Sequence, residues 1–311
     1  MSLFSLFVVA VMAAEGIISP LADSAPAPRP TEANQPTISF GVLANASPTP
    51  TVPAAPVAPP VEQKTPSPPP AGSDRIGAGG PSPTPVTYQA RKKHYAVALL
   101  GDSMTDTLGP DVPHLKNKLS TLFPGTSFTM LNYGVGGTNI DYGIERLTSA
   151  YTYLGKQLPS LLSQSPDLVI VESFGYNPYT FDTGALEKHW LALASVVDTL
   201  KTGIPGVKII IAATIAPNSK TFGDGAPGLS FSADDKWRRT QVIKQYLDST
   251  VKFAKSQGLP LADLYHASLD KNGDGILSYI NGGDHIHYSD SGRQLFAQKV
   301  ADTIIANHML E

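Results

Sequence analysis

Proline constrains this chain more than any other residue: eighteen of its 28 prolines lie between Pro20 and Pro85. Proline fixes φ at about −65° and has no amide hydrogen to give to a helix or a central strand. The same stretch is rich in Ala, Ser and Thr, as in Thr51–Pro60 (TVPAAPVAPP), and residues 1–90 hold only eight charged side chains. Its apolar surface is too small to offset the entropy of ordering. Residues 22–90 are therefore expected to form a disordered, semi-stiff linker with extended polyproline II character. One apolar patch within it, Ile38–Leu43, has the composition of a short docking strand.

Ahead of the linker, Leu3–Ala14 is apolar apart from Ser5 and is followed by Glu15 and Gly16. These twelve residues fall short of the about 20 that a membrane-spanning helix requires, and suit the core of a signal peptide. Val11-Met12-Ala13 offers a cleavage pattern, although no Lys or Arg precedes the run. Residues 1–21 are read as a signal peptide, with an uncleaved membrane anchor as the alternative. Both readings place the rest of the chain outside the cytoplasm, secreted or membrane-tethered.

The remaining segment, 91–311, carries 41 charged residues and ten prolines, enough chain for one domain with a sizeable core. The absence of cysteine excludes disulfides, thiolate metal sites and a thiol nucleophile. A net charge of −3 argues against nucleic acid as a partner, since phosphate neutralisation needs a basic surface.

Short apolar runs at Tyr95–Leu100, Ser127–Tyr133, Asp167–Glu172, Val207–Ala212 and Leu259–Asp263 predict five strands. Between and after them, helical spacing is found over Val112–Leu122, Ala185–Leu200, Asp234–Ser256 and Ser289–Asn307. In the second of these, Leu186, Leu191, Leu193, Val196, Val197 and Leu200 are assigned to one face. Ser289 or Asp290 is the expected N-cap of the last helix. Strands this apolar, alternating with helices, predict a parallel sheet covered on both faces. The fold class is thus α/β: a flavodoxin-like three-layer α/β/α sandwich on a five-stranded parallel sheet. In such folds catalytic groups gather beyond the carboxyl ends of the strands.

Four such places carry polar residues suited to acyl transfer. The first strand runs into Gly101-Asp102-Ser103-Met104, where a glycine-assisted turn presents a serine at a helix start. The second runs into Asn132-Tyr133-Gly134-Val135-Gly136-Gly137, whose glycines let backbone N–H groups face a ligand. The third is followed by Gly175-Tyr176-Asn177, with an amide able to donate to an oxyanion. Asp284-His285-Ile286-His287 sets a carboxylate three residues before an imidazole. A serine needs a base, and the base an orienting partner. Each motif alone is also an ordinary turn, cap or surface pair. Their order and placement together single them out.

The combination resembles the SGNH/GDSL hydrolases, from about Ala96 to Phe296. The resemblance implies an ester hydrolase with Ser103 as nucleophile, His287 as base and Asp284 as its partner. It also implies an oxyanion hole made by Ser103, Gly137 and Asn177, and chemistry that requires no cofactor. Two positions depart from the family pattern: Pro178 stands where Asp is usual, and Thr107 where Gly is usual. An ester is the implied substrate; the alternatives are an O-acyltransferase with the same triad and a non-catalytic glycan-binding surface module. An acylated polysaccharide is the class that a surface-proximal enzyme would meet first.

Asp270-Lys271-Asn272-Gly273-Asp274-Gly275-Ile276-Leu277-Ser278 has the spacing of a calcium loop. Oxygen donors would come from Asp270, Asn272, Asp274, the Ile276 carbonyl and Ser278, making a structural calcium site. An Asx-bonded turn fits the same residues, and position 12 is Asn281 instead of Glu. Tyr176 and Tyr179, beside Asn177, are candidate sugar-stacking residues as well as candidate packing residues. The glycine-rich loop 218–231 is read as a cleft wall or a free surface loop.

Overall fold

Residues 86–179 and 184–311 are described by the structure, a computed structural model. The expected export segment, the linker as far as residue 85 and the patch Ile38–Leu43 lie outside the described residues.

The strands are β1 (His94–Gly101), β2 (Ser127–Gly134), β3 (Tyr151–Tyr153), β4 (Lys156–Leu158), β5 (Leu168–Glu172), β6 (Lys208–Ala213) and β7 (Leu261–Asp263). The helices are α1 (Ser103–Asp106), α2 (Pro113–Leu122), α3 (Ile140–Thr148), α4 (Ala185–Gly203), α5 (Ala233–Ser256), α6 (Leu264–Ala267) and α7 (Asp290–Ala306). Five strands form one parallel sheet in the order β2-β1-β5-β6-β7. This is the doubly wound flavodoxin-like order, and all five expected strands lie in it.

Both faces of the sheet are covered, as the apolar strands require. Val97 and Leu99 face one cluster, with Leu115 and Leu119 of α2 and Phe296, Val300 and Ile304 of α7. Ala98 and Leu100 face the other, with Ile140 and Leu147 of α3 and Leu193, Val196, Val197 and Leu200 of α4. Leu191 is not on that buried face; it is 68% exposed, because the stripe of α4 runs through His189, Leu193, Val196 and Leu200 instead. Ser289 caps α7 by accepting from the Gly292 N–H.

Sequence spacing did not announce α3 or the β3–β4 hairpin. Helix α3 begins where Asn139 accepts from the Asp141 N–H. The hairpin turns on Leu154 and Gly155, whose positive φ values of 49° and 74° define a tight two-residue loop. The chain leaves β1 toward β2 and later returns to β1's other side through β5. The switch point therefore lies between the carboxyl ends of β1 and β5, where a ligand crevice is expected.

Candidate active site

Ser103 and Asn177 follow the two strands that flank the switch point. Strand β1 ends at Gly101, and α1 folds back directly onto the strand end. A Cβ at Gly101 would lie 2.0 Å from Thr105 Oγ1 and 2.8 Å from Glu172 Cβ. A Cβ at Gly134, the end of β2, would lie 2.2 Å from the Asp106 nitrogen. Only glycine at both ends lets the Ser103 turn pack this closely. Ser103 is 5% exposed, and its hydroxyl and N–H make no hydrogen bond among the described residues.

Asp102 links this turn to Asn177. Its Oδ1 accepts from the Met104 N–H at 2.8 Å, and its Oδ2 accepts from Asn177 Nδ2 at 2.9 Å. Behind it lies Glu172, the last residue of β5, which accepts from the Asp102 N–H at 3.0 Å, the Ser173 hydroxyl at 2.7 Å and the Phe174 N–H at 2.8 Å. Burial raises the Asp102 carboxyl above its ordinary range, opposed by the Asn177 and Met104 hydrogen bonds. Glu172 is pushed well above its ordinary value, by burial first and then by the Asp102 charge. Of the two adjacent carboxyls, Glu172 is the one pushed further up.

The loop after β2 is pinned at several points. The Val135 N–H donates to the Gly101 carbonyl at 3.2 Å, and Thr138 Oγ1 donates to the Val135 carbonyl at 2.8 Å. The buried Arg146 of α3 donates through Nη1 to Thr138 Oγ1 and through Nη2 to the Gly101 carbonyl. The Gly136 N–H donates to the Tyr153 hydroxyl at 3.2 Å. Gly137 has φ +72°, and its N–H makes no hydrogen bond among the described residues.

The Asp284–His287 segment lies just before α7. His287 is 4% exposed, its Nδ1 lies 2.9 Å from Asp284 Oδ2, and its Nε2 is buried with no hydrogen-bond partner. It lies close enough to act electrostatically on Asp102 and Asp106, on either side of Ser103. Burial works against the charge on Asp284, yet the His287 hydrogen bond and charge and the Ile286 and His287 N–H groups hold its carboxyl below the ordinary range. Asn281 adds a hydrogen bond from Nδ2 to Asp284 Oδ2. Helix α7, which follows this segment, is tied to the Ser103 turn, since Arg293 Nε donates to the Thr107 carbonyl at 3.0 Å.

A family model, the GDSL-like lipase/acylhydrolase family, matches residues 99–295. The chain belongs to that family. It is a serine ester hydrolase, and its catalysis requires no cofactor. Among solved structures, a lipase/acylhydrolase from Enterococcus faecalis is 20% identical, covering 68% of this chain and 96% of that one with a TM-score of 0.48. A GDSL-like lipase from Bacteroides thetaiotaomicron is 14% identical, covering 68% and 89% with a TM-score of 0.50. An acetyl xylan esterase is 20% identical, covering 67% and 99% with a TM-score of 0.48. No curated protein sequence matches the chain.

Two expectations about this GDSL hydrolase are corrected. Tyr176 is a packing residue here and not an exposed stacking surface: it is 2% exposed, its hydroxyl donates to the Ile215 carbonyl at 3.0 Å, and its ring packs on Phe222. Tyr179 is the partly exposed member of the pair, with the Lys188 ammonium 3.8 Å from its ring centroid.

The segment Asp270–Ser278 is an Asx-bonded turn, and the calcium reading fails on its charge partners. Asp270 Oδ1 accepts from the Asn272 and Asp274 N–H groups. Asp274 accepts from the Ser219 N–H and hydroxyl, and Lys244 Nζ donates to its Oδ1 at 2.8 Å and to the Gly273 carbonyl at 2.9 Å. An ammonium thus takes the place of a cation. Ile276 gives its N–H to Ser268, and the Ser278 carbonyl accepts from the Ser289 hydroxyl. Among the described residues, no group of three or more His, Asp or Glu side chains is placed to hold a metal ion.

The loop 218–231 braces the histidine segment. The Asp224 carbonyl accepts from His285 Nδ1 at 2.8 Å, and a Cβ at Gly225 would lie 2.6 Å from the Gly283 carbonyl. The sequence reading passed over Glu172, Arg146, Asp106 and Tyr153. Only Glu172 carried a signal, as an acid closing an otherwise apolar buried strand.

Proposed function

We propose that Ser103, His287 and Asp284 form the triad of an exported esterase that deacylates an O-acylated glycan or a small ester. The observation that carries the triad is His287 Nε2. Buried polar atoms are rarely left unpaired, and those that are need an explanation. Here the ring is held through Nδ1 by Asp284, and the free nitrogen is left to take a proton. Ser103 Oγ attacks the ester carbonyl and gives its proton to His287 Nε2. Asp284 stabilises the imidazolium that results. The N–H groups of Ser103 and Gly137 and the second amide proton of Asn177 receive the oxyanion. Collapse expels the alcohol with the proton from His287, and water releases the acyl group by the reverse sequence.

The glycan substrate and the export are supported by the sequence before the domain. An apolar leader and a proline-rich spacer suit a domain held out from a cell surface, where polysaccharide is the first acylated material it meets. The test is an activity screen of the protein against acetylated glycans and aryl esters, with Ser103→Ala and fluorophosphonate labelling alongside. Loss of hydrolysis and of labelling in Ser103→Ala is expected, and retained activity in that variant overturns the triad. The mass of the exported full chain tests whether residues 1–21 are removed.

A further inference from the structure

The group that takes the Gly136 N–H comes from outside the four motifs. Tyr151 and Tyr153 are two residues apart on β3 and so share a face. The Tyr151 ring packs 6.1 Å from the Tyr133 ring, with the Arg146 guanidinium 5.9 Å from its centroid, which seats the hairpin on the protein. Tyr153 then extends to the loop beside the nucleophile. Its hydroxyl donates to Asp106 Oδ2 at 2.8 Å and accepts from the Gly136 N–H at 3.2 Å. A phenol has one proton to give. Giving it to Asp106 leaves the lone pairs for Gly136.

We propose that Tyr153 is a positioning residue of the oxyanion hole, fixing the Val135–Gly136 peptide and so the point from which the Gly136–Gly137 peptide presents the Gly137 N–H to the oxyanion. This rests on the reading of Gly137 as a donor given above. A Gly-Gly peptide has no side chain to resist rotation. Val135 and Thr138 are tied to neighbours, so Tyr153 holds the link between them. The geometry is tight: a Cβ at Gly136 would lie 3.3 Å from the Tyr153 hydroxyl and 3.9 Å from Ser103 Cβ. A small slip of this loop would therefore move a donor relative to the nucleophile. Burial, first, pushes the Tyr153 phenol up to about 12, so it stays a neutral donor over the working pH range.

Tyr153→Phe keeps the ring and removes both hydrogen bonds. Its kcat on an aryl acetate is expected to fall about ten- to a hundredfold with KM within about twofold, as misplaced catalytic groups do. Fluorophosphonate labelling of Ser103 should slow in parallel, because charge develops on the same oxygen. Gly136 does not have positive φ, so alanine is allowed there once the hydroxyl is gone. Gly136→Ala in the Tyr153→Phe background stiffens the peptide and should recover part of the lost kcat. Wild-type kcat in Tyr153→Phe, a change confined to KM, or no recovery in the double variant overturns the role of Tyr153. Activity surviving in Ser103→Ala would instead overturn the site reading on which it rests.

Discussion

Asn177 Nδ2 donates to Asp102 Oδ2 at 2.9 Å, so the Asn177 amide is held by the residue just before Ser103. An amide nitrogen carries two protons. One is spent on Asp102 and fixes the side chain; the other remains for a ligand. Asp102 is in turn fixed by its own N–H on Glu172. The Ser103 turn, the Asn177 amide and the end of β5 thus form one hydrogen-bonded unit.

Asn177→Ala is expected to separate two effects. Losing an oxyanion donor should lower kcat about 10²–10³-fold with little change in KM. Leaving Asp102 Oδ2 buried without its partner should also cost roughly 1–3 kcal/mol of stability. Steady-state kinetics and urea unfolding of the same variant check both. Unchanged kcat alongside lowered stability would make Asn177 purely structural.

Glu172 predicts a pH effect of definite sign. Its folded-state value lies above the ordinary one because of burial and the Asp102 charge. The folded protein therefore keeps a proton that the unfolded chain releases above about pH 4.3. The unfolded state then binds fewer protons, so this group subtracts stability as pH rises. Glu172→Gln, neutral throughout, should gain on the wild type between pH 4 and pH 8 in denaturant unfolding. Parallel pH curves for the two proteins would exclude a protonated Glu172.

Lys244 replaces the cation in the turn at Asp270–Ser278. Its Nζ and the Asp274 carboxylate are both largely buried, with side-chain exposures of 12% and 13%. Removing one partner strands a charge, so Lys244→Met should lower stability by about 1–3 kcal/mol. Chelators should leave the wild-type melting temperature unchanged. Restoration of the Lys244→Met protein by millimolar calcium would show that the turn can hold the ion after all.

The sheet was legible because buried parallel strands are apolar on both faces, so β1, β5 and β6 each read as a continuous apolar run. The motif residues were legible because serine, glycine, asparagine and Asp-x-x-His need particular backbone positions. What stayed hidden depends on three-dimensional partners. Tyr153 reaches the site only because Tyr151 seats a hairpin that has no periodicity of its own. Tyr176 stands beside Asn177, yet the turn after β5 directs it inward, where its hydroxyl meets the Ile215 carbonyl. The spacing of Asp270, Asn272 and Asp274 suits an ion, but Lys244 lies 30 residues away in the sequence and no local pattern reveals it. Leu191 was misplaced because α4 buries His189, which spacing by hydrophobicity alone leaves out.

His189 supplies the last prediction. It is 1% exposed, its Nε2 donates to the Ser173 carbonyl at 2.8 Å, and its Nδ1 is buried without a partner. Burial lowers its pKa to about 4, with the Ser173 hydrogen bond opposing. The ring is neutral in the folded protein, while the unfolded chain takes up a proton below about pH 6.5. The unfolded state binds more protons in this window, so stability falls as pH drops from about 6.5 toward 4. At pH 5 the loss from this one group is about 2 kcal/mol, from 1.36 kcal/mol per pH unit. His189→Gln keeps a donor at the position of Nε2 and cannot be protonated. Urea unfolding at pH 7 and pH 5 should therefore show a loss smaller by about 2 kcal/mol in the variant. The Ser173 carbonyl lies one residue beyond Glu172, so the two buried groups share one segment and titrate with opposite signs. Glu172 weakens the fold as pH rises and His189 as it falls, so between about pH 4.3 and 6.5 their two contributions oppose each other. An equal pH dependence in His189→Gln and wild type would mean that the imidazole is already charged in the folded state.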